Sequence, residues 1–345
     1  MITELRLINF RNFEELKLVG LEKKNFLVGE NGKGKTNILE CISLLSNNSI
    51  TGLSFDELVK RGEDYFFIEY LSDDGNKISF SYTKEKKLKQ FMLNNKKISK
   101  KKFNQITNKC VIFSPIIMNM MYLSPNLRRS FLDDLLKSSF EDYEKLLTSY
   151  KKIIKHRNKT LKNIGEGKSS KQEINFWNEK FIIEATRIYK YRFKIINFLK
   201  STIDSTKEFF SGKIESIELK YNTKVTEDNV SKDIKEYLEK NIDRDIIMGR
   251  TPIGPHVDDF EILVDGIHLS HFASRGETKS MILWLKLLEG IFIEKMTSKK
   301  PILLIDDLLS ELDNNHKDML VKKIEYYQTF ISSITKTEDT NIIIT

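Results

Sequence analysis

Alternating apolar and polar positions open the chain and predict β-strands. Residues 2–10 and 14–19 each alternate with period two, which is typical of strands that are buried on one face. Arg11 and Asn12, between these two segments, supply a turn. An apolar run at 25–28 indicates a buried strand, and residues 38–45 space their apolar side chains at helical intervals. The first fifty residues therefore predict a hairpin, a buried strand and a helix.

A second group of alternating segments predicts a small antiparallel meander. Turn residues of the types Asp-Asp-Gly-Asn and Asn-Asn separate its strands. The predicted strands occupy 65–71, 77–83 and 88–93. Another apolar strand is predicted at 110–114, before the pattern changes.

From Ser124 onward the apolar residues recur at steps of three and four, which predicts long amphipathic helices. Serine followed by Pro125 is a suitable helix start, and a single helix is predicted from there to Leu161. A glycine-containing break at 165–170 precedes a second such pattern over 176–199. Because a short loop joins these two long helices, they are expected to pack antiparallel.

Strand patterns return at 258–264 and 301–305, after the helical segment. This order predicts an α/β fold in which a helical lobe is inserted into a discontinuous α/β lobe. The predicted boundaries assign 1–114 and 245–345 to the α/β lobe and 115–244 to the helical lobe.

Composition narrows the class of protein without indicating a function. Of the 345 residues, 40% are hydrophobic and 31% are charged, which is sufficient for a packed core. The formal net charge of +8 permits an anionic partner such as nucleic acid but does not demand one. Cys41 and Cys110 lie in apolar stretches and are interpreted as buried thiols, not as a disulfide. No membrane span or signal peptide is expected, so a cytoplasmic location is the prediction.

The stretch GENGKGKTN at 29–37 follows a predicted buried strand and leads into a predicted helix. It matches the phosphate-loop pattern G-x-x-x-x-G-K-[ST] in the context that the pattern requires. Glycines let backbone N–H groups converge on a phosphate, Lys35 can reach the β- and γ-phosphate oxygens, and the Thr36 hydroxyl can bind Mg²⁺. A glycine turn without a ligand is the alternative interpretation.

Two aspartates end the apolar segment PILLIDD at 301–307. A strand this apolar is buried on both faces, so paired carboxylates at its end are costly unless something binds there. Asp306 is expected to hold Mg²⁺ through water, and Asp307 to orient or deprotonate the attacking water. The alternative is that the pair caps a following helix.

The segment ASRGE at 273–277 places Ser274 and Gly276 at the start of a predicted helix. On its own this pattern is as typical of an ordinary helix start as of a phosphate site. The segment SELD at 310–313 follows the strand that ends in the two aspartates. Since the chain already has one phosphate loop, a second phosphate-facing helix start is best used across a dimer. That arrangement, with two nucleotides between two subunits, is the one found in ABC-type ATPases.

The order of these motifs resembles the SMC-like branch of ABC ATPases, and within that branch the RecF family of bacterial DNA-repair and recombination proteins. The resemblance extends over nearly the whole chain. Besides the motifs above, it is carried by INFRNF at 8–13, VIFSP at 111–115, LSPNLRRSFLD at 123–133, YKKIIKHRNKTLK at 150–162 and GPHVDDFEI at 254–262. It implies the fold of an ABC-type P-loop ATPase head with an inserted lobe of antiparallel helices.

The resemblance also implies cofactors, partners and site residues. ATP with Mg²⁺ would close a homodimer on DNA at gaps or at junctions of double- and single-stranded DNA, and slow hydrolysis would reopen it. Loading of recombinase with RecR- and RecO-like mediators is the implied role. Lys35, Asp306 and Asp307 are the predicted catalytic residues, and Thr36 and Asp306 the predicted Mg²⁺ ligands. The predicted nucleotide-binding residues are Arg11, Asn12, Gly29, Glu30, Asn31, Gly32, Lys33, Gly34, Lys35, Thr36, Asn37, Ser274, Gly276 and Asp313.

Basic residues of the helical lobe are the candidates for DNA contact. Lysines at 151, 155, 159 and 162 share one face of a predicted helix, and such a stripe can follow phosphates without reading bases. An ordinary solvated face is the alternative, and the two arginines of LRRSFLD could equally dock the helical lobe onto the ATPase lobe. The predicted DNA-binding residues are Arg128, Arg129, Lys151, Lys155 and Lys159, within a run that also holds Lys152, Arg157 and Lys162.

The chain departs from the family pattern at several positions. Val257 stands where the family has arginine, and Ile116 and Ile117 stand where it has acidic residues. Arginines that the family tends to carry are missing from 47–58, and Glu277 replaces the usual glutamine.

Other classes of protein remain as alternatives. Another SMC-like or ABC-type ATPase subunit without a repair role would share the nucleotide motifs, as would a homologue that binds ATP but barely hydrolyses it. A structural SMC protein would need hundreds of heptad residues between the ATPase halves. An ATP-dependent nuclease of the overcoming-lysogenization type would need a further metal-carboxylate domain, and a transporter subunit would not need the long helical lobe.

Overall fold

The structure is a computed structural model that describes residues 1–47, 54–114, 124–205, 214–307, 324–334 and 342–343. Contacts between residues divide the chain into two compact units, Met1–Asn119 with Ile282–Thr345 and Met120–Met281. Helices and strands fall largely where the hydrophobic pattern predicts them.

The strands are β1 Ile2–Phe10, β2 Phe13–Val19, β3 Lys24–Val28, β4 Tyr65–Ser72, β5 Lys77–Thr83, β6 Leu88–Leu93, β7 Lys96–Ile98, β8 Cys110–Phe113, β9 Ile217–Asn222, β10 Asp259–Val264, β11 Ile267–His268, β12 Ile302–Ile305, β13 Thr329–Ser333 and β14 Ile342–Ile343. The helices are α1 Lys35–Asn47, α2 Phe55–Leu58, α3 Lys100–Ile106, α4 Pro125–Ser139, α5 Tyr143–Gly165, α6 Glu173–Thr202, α7 Val230–Lys240, α8 Ile242–Met248, α9 Leu269–Phe272 and α10 Arg275–Thr297.

One sheet of the first unit is antiparallel, with the strand order β2-β1-β4-β5-β6-β7 among the described residues. The predicted meander, β4 to β6, is confirmed. It is not a separate element, because β4 pairs along its length with β1 of the first hairpin. The short strand β7 was not predicted, since three residues give too little alternation to recognise.

The second sheet of this unit is parallel and has the order β14-β3-β13-β12-β8 in the described part of the chain. All four residues of β12 are buried, as expected for a strand that lies between β13 and β8. Parallel pairing brings the carboxyl ends of β3, β13 and β12 to one edge of the sheet. The residues that follow these strands can therefore form a common site.

Helix α1 joins the two sheets through a continuous hydrophobic core. Its residues Ile38 and Ile42 are fully buried in the same cluster as Leu7 of β1 and Leu304 of β12. Cys41 and Cys110 are also buried, and both are free thiols, which confirms their interpretation. Because α1 begins at the phosphate loop, this packing fixes the loop relative to both sheets.

The second unit is built around an antiparallel pair of helices, α5 and α6. At one end the ring of Tyr143 meets Tyr191, and at the other His156 stacks on Trp177 with ring centroids 4.8 Å apart. The predicted antiparallel helices are thereby confirmed.

The prediction of a single helix from 125 to 161 is wrong. Helix α4 ends at Ser139, and Phe140 takes an extended conformation with φ −134° and ψ 120°. Its ring packs against Tyr191 of α6 at 4.7 Å, and the carboxylate of Asp142 accepts a hydrogen bond from the Tyr191 hydroxyl. These tertiary contacts interrupt the helix without a glycine or a proline, so nothing in the local sequence indicates the break.

A three-stranded sheet, β11-β10-β9 among the described residues, completes the second unit. Strand β9 was not predicted, and β10 pairs with it from Asp259↔Asn222 to Val264↔Ile217. This pairing groups residues 245–281 with the second unit, whereas the predicted boundaries assign them to the α/β lobe.

A buried ion pair links α5 to α8 within the second unit. Arg157 donates to the Asp245 carboxylate at 2.9 Å, and both side chains are 0% exposed. The other guanidinium nitrogens donate to Asn178 at 2.8 Å and to Thr251 at 2.6 Å. The inclusion of Arg157 in a DNA-facing run is therefore wrong, because its charge is enclosed and satisfied inside the unit.

None of the helices formed by the described residues combines the length and the apolar character needed to cross a membrane.

Candidate functional site

The phosphate loop lies between β3 and α1, and its glycines meet steric requirements that other residues would not. Gly32 and Gly34 have φ values of +82° and +101°, in the region that L-residues avoid. A Cβ on Gly34 would lie 2.5 Å from the Phe13 ring and 2.8 Å from the Asn12 amide. The close approach of the loop to the first hairpin therefore demands glycine at position 34.

Lys35 is buried inside this loop, with only 5% of its surface exposed. Its ammonium group donates to the carbonyl oxygens of Gly29 at 2.7 Å and Glu30 at 3.0 Å. Neutral carbonyls do not neutralise its charge, and the first N–H groups of α1 have no acceptor within the helix. The loop thus presents a positive charge and free donors together, which suits a phosphate group.

Thr36 and Asp306 meet at the edge of the parallel sheet, as the sequence predicts. The Thr36 hydroxyl lies 3.1 Å from both carboxylate oxygens of Asp306. The two residues are 270 positions apart in the chain, so only the fold brings them together. This pair joins the phosphate loop to the carboxyl end of β12.

The strand that ends in the two aspartates is not adjacent to the strand that precedes the phosphate loop. Strand β13 lies between β3 and β12, and it contributes a residue that the sequence analysis missed. The Ser332 hydroxyl is 2.9 Å from an Asp306 carboxylate oxygen and 3.2 Å from one of Asp307, and it accepts from the Asp307 backbone N–H at 2.8 Å. Ser332 therefore orients both aspartates.

Hard oxygen ligands of the kind that Mg²⁺ prefers are present at this edge. A threonine hydroxyl and one carboxylate suit a cation that also takes waters and phosphate oxygens, since Mg²⁺ rarely relies on a cage of protein ligands alone. Accordingly, no cluster of three or more His, Cys, Asp or Glu side chains suited to a metal occurs among the described residues. Thr36 and Asp306 fit the predicted metal position.

Arg11 and Asn12, predicted to contact nucleotide, support the loop from the β1–β2 turn. The Asn12 amide donates to the Lys33 carbonyl at 3.3 Å, and its oxygen accepts from Asn37 at 2.7 Å. Arg11 forms a two-pronged ion pair with Glu40 of α1, at 2.9 and 3.2 Å. Asn12 thus contacts the phosphate loop, whereas the guanidinium group of Arg11 is paired with a carboxylate of α1, the helix that follows the loop.

The ASRGE segment starts α10 through a capping box. The Ser274 hydroxyl accepts from the Glu277 N–H at 3.2 Å, and the Glu277 carboxylate accepts from the Ser274 N–H at 2.9 Å. Ser274 and Gly276 are exposed, and a Cβ on Gly276 would meet only the Ser274 hydroxyl within 4 Å. This helix start is open to an approaching group. The predicted residue Asp313 lies outside the described residues, as do Ile116 and Ile117.

The two arginines predicted to bind DNA make contacts inside the second unit. Arg128 is 8% exposed and forms a two-pronged ion pair with Asp259, at 2.8 and 2.6 Å. Arg129 is half-buried and donates to the backbone carbonyl of Asp258 at 2.9 Å and to the side chain of Asn126. Arg128 thus links α4 to β10, while Arg129 keeps an uncompensated charge.

The lysine stripe lies on the exposed face of α5. Lys151, Lys155 and Lys159 are exposed, and an aromatic pair lies alongside, with the ring of His156 parallel to that of Trp177. Ordinary lysines on a solvated face would look the same. The geometry therefore permits phosphate contact by this stripe without requiring it.

The GPHVDD segment serves the core of the second unit. His256 lies between the Tyr150 hydroxyl, 2.7 Å from Nδ1, and the Thr251 carbonyl, 2.9 Å from Nε2. Burial lowers the pKa of His256 to about 4, so its ring is neutral at pH 7. Burial also raises the pKa of Asp258, which accepts a hydrogen bond from Tyr221 at 2.9 Å. Val257, in the position of the missing family arginine, is 43% exposed.

Comparisons with known proteins agree with this arrangement. The model of the RecF/RecN/SMC N terminal domain family matches residues 1–342. The chain is 36% identical to the DNA replication and repair protein RecF of Thermoanaerobacter sp. (strain X514), over 97% of this chain and 94% of the relative. It is 33% identical to the RecF of Ruminiclostridium cellulolyticum, over 99% of this chain and 95% of the relative.

Two solved structures are similar along nearly the whole chain. One is the recombination mediator protein RecF-ATP of the RecFOR pathway, with a TM-score of 0.84, 33% identity, and coverage of 98% of this chain and 92% of that one. The other is the RecF-ATPrS structure, with a TM-score of 0.87, 32% identity, and coverage of 99% and 94%. These similarities confirm the predicted family resemblance and the ABC-type α/β fold with its helical insertion.

Proposed function

Because this chain belongs to the RecF family, within the RecF/RecN/SMC N-terminal domain family, we propose that it is an ATP-binding protein of recombinational DNA repair. The solved RecF structures that resemble it include one with ATP, and its curated relatives are DNA replication and repair proteins. ATP binds, on this proposal, at the loop of residues 29–36.

The observation that carries this proposal is the contact between Thr36 and Asp306. A phosphate loop alone is a common sequence pattern, whereas a loop hydroxyl 3.1 Å from a carboxylate at the end of a buried strand supports a site for a metal-bound triphosphate. Asp307 and Ser332, at the same edge, add a second carboxylate and a hydroxyl that holds it.

The chemistry supported by these residues is hydrolysis of the terminal phosphate. Mg²⁺, when bound, would neutralise charge on the phosphate oxygens. Lys35 would hold the β- and γ-phosphates in place of the carbonyls that it now contacts. Asp306, which contacts Thr36, would help to hold the metal ion. Asp307, next to it, would orient the attacking water or accept a proton from it. The hydrolysis is proposed to be slow.

A second copy of the chain completes the site in this proposal. The Ser274 hydroxyl and the N–H groups after it form an exposed helix start, and Gly276 leaves their backbone uncovered. Placed against the γ-phosphate held by another copy, this start would contribute donors and a favourable dipole. ATP would then favour a homodimer, and hydrolysis would release it.

DNA at gaps or at double- and single-strand junctions is the proposed substrate, with RecR- and RecO-like proteins as partners. The exposed lysines of α5 supply a positive surface for the DNA backbone, and this surface reads no bases. Recombinase loading is the role proposed for the DNA-bound dimer.

Replacing Lys151, Lys155 and Lys159 together with alanine is expected to weaken DNA binding and to flatten its salt dependence. Each lysine–phosphate interaction that the substitutions remove should lower the slope of log affinity against log salt by about one unit. The slope would be measured by fluorescence anisotropy with a gapped duplex in the presence of ATP.

The matched control neutralises three exposed lysines of α7, Lys232, Lys235 and Lys240, and should leave the slope unchanged. An identical slope for the α5 variant and the unmodified chain would show that the stripe is an ordinary solvated face.

A further inference from the structure

We propose that the second unit carries a site on which one unpaired base of a single DNA strand stacks. The site is a group of three aromatic rings at the surface of the α5–α6 pair, those of His156, Phe176 and Trp177, called here the aromatic cluster. It rests on the proposed function in one respect, since the lysines of α5 would hold the backbone of the same strand. The aromatic cluster adds a contact to the base, which those lysines do not make.

The three rings pack on one another at the surface and not in the core. The ring of His156 lies flat on that of Trp177, with centroids 4.8 Å apart and planes inclined by 5°. The ring of Phe176 meets the indole edge-on, with centroids 5.1 Å apart. These are the distances of favourable aromatic contacts, so each ring holds its neighbour in place. The aromatic cluster therefore presents ring faces that are already oriented.

The exposure of these rings leaves a face open to a further ring. Phe176 is 56% exposed, although it is a large apolar side chain. Trp177 covers one face of the His156 ring, and His156 is nevertheless exposed, so solvent reaches this ring from the other side. A nucleic-acid base is flat and has a π face, and it can continue the His156–Trp177 stack from that side.

The charges on α5 favour an anionic strand beside the aromatic cluster. Residues 150–162 contain five lysines and no acidic residue. Lys152 and Lys159 lie four residues before and three residues after His156, which places both of them beside its ring on the helix surface. Both lysines are exposed, and neither forms an ion pair within the described residues.

The charges on α6 are mixed. The Lys180 ammonium group lies 5.7 Å from the centre of the Phe176 ring. Two exposed carboxylates, those of Glu173 and Glu179, lie within one turn of Phe176 on the same helix. A strand is therefore expected to run along α5 with its phosphates and to turn a base towards α6 and the rings.

The stacking geometry selects an unpaired base over other occupants. In a duplex each base is already stacked and paired, so it would have to leave the helix to reach the rings, whereas a base of a single strand is free to do so. A symmetric contact with a second copy would set the same cationic face against the lysines of α5. Because every base has a π face, the contact does not depend on sequence. The site would favour DNA in which a single strand adjoins a duplex.

The site is tested by fluorescence anisotropy with the full-length chain at low salt and without nucleotide. The two ligands are a labelled oligothymidylate and an abasic strand of equal length and charge. The abasic strand should bind roughly tenfold more weakly, since the loss of one base–aromatic stack lowers affinity by about 5- to 150-fold. The chain has two tryptophans, and Trp284 is 3% exposed, so a change in tryptophan emission on binding reports on Trp177. Only the oligothymidylate should produce that change.

His156→Ala should weaken binding of the oligothymidylate roughly tenfold and leave affinity for the abasic strand unchanged. His156→Phe keeps an aromatic ring and should retain most of the affinity, which separates stacking from charge. Tyr65→Ala is the matched control, because it removes a ring that is 43% exposed in the first unit, and it should change neither affinity.

Equal affinities for the two strands, or an unchanged affinity for the oligothymidylate in His156→Ala, would overturn the site and leave the backbone contact of α5 intact. If replacement of the three α5 lysines changed neither affinity while His156→Ala weakened only the oligothymidylate, the backbone contact would fail and the site would stand. Self-association that Phe176→Ala abolishes, without a preference for the oligothymidylate, would assign the rings to a second copy and overturn the site.

Discussion

Lys35→Ala is expected to keep the chain monomeric at concentrations of ATP and Mg²⁺ that convert the unmodified chain into a dimer. Lys35 is 5% exposed, and its ammonium group lies within the phosphate loop, where it donates to two carbonyl oxygens of the described residues. Charged hydrogen bonds of this kind contribute about 1.5–3 kcal/mol each. Because a closed dimer would contain two such sites, the dimerisation constant should fall by more than about 100-fold.

Sedimentation velocity with and without ATP and Mg²⁺ measures this effect. The control is Lys23→Ala, which removes an equal charge from an exposed position just before β3, at the end of the strand away from the loop. It should dimerise as the unmodified chain does. A dimer that forms without nucleotide, or that persists in Lys35→Ala, would contradict the proposal that ATP controls dimerisation.

Asp245→Ala is expected to lower the free energy of unfolding of the second unit by about 3–5 kcal/mol, because it leaves a buried guanidinium without its counter-charge. Arg157 and Asp245 are both 0% exposed, and the arginine cannot reach water to compensate. Arg157 would keep its hydrogen bonds to Asn178 and Thr251, which satisfy the donors but not the charge. Asp245→Asn should cost less, since its oxygen can still accept a hydrogen bond.

Urea denaturation followed by circular dichroism measures the difference. Asp243→Ala provides a matched control, because Asp243 lies on the same helix and pairs with Lys171 at the surface, with side chains 77% and 63% exposed. The surface pair of Asp243 and Lys171 should contribute no more than about 1 kcal/mol to the free energy of unfolding. If Asp245→Ala and Asp243→Ala lowered the free energy of unfolding equally, burial of the Arg157–Asp245 pair would not matter to stability.

The residues of the phosphate loop could be predicted because their chemistry depends on neighbours in the chain. Glycine at position 34 answers a local constraint, a φ of +101° beside Phe13, and Lys35 and Thr36 follow it directly. Asp306 was also predictable, since four buried residues before it imply a central parallel strand. The meeting of Thr36 with Asp306 was implied by their prediction as ligands of one Mg²⁺ ion.

Features that depend on distant contacts could not be predicted in the same way. The end of α4 is set by the packing of Phe140 on Tyr191 of a later helix, and nothing in the local apolar spacing differs there. Arg157 occurs among lysines that face solvent, and its ion pair with Asp245 shows that it points inward. A helical wheel places it away from the stripe of Lys151, Lys155 and Lys159, which was the available signal.

Ser332 illustrates a third kind of limit. Its chemistry at the site requires that β13 lie between β3 and β12, and strand order is a property of the whole sheet. A serine at the end of a strand pattern is otherwise unremarkable in sequence. Strand β9 was missed for a similar reason, because its pairing partner β10 is distant in the chain.

A crystal structure of the chain with Mg²⁺ and a slowly hydrolysed ATP analogue tests the central claim most directly. The account predicts the triphosphate on residues 29–36, with Lys35 moved from the carbonyls of Gly29 and Glu30 to the β- and γ-oxygens. It further predicts that Ser274 and Gly276 of a second copy contact the γ-phosphate. A nucleotide bound away from the loop, or a γ-phosphate contacted by one copy alone, would contradict it.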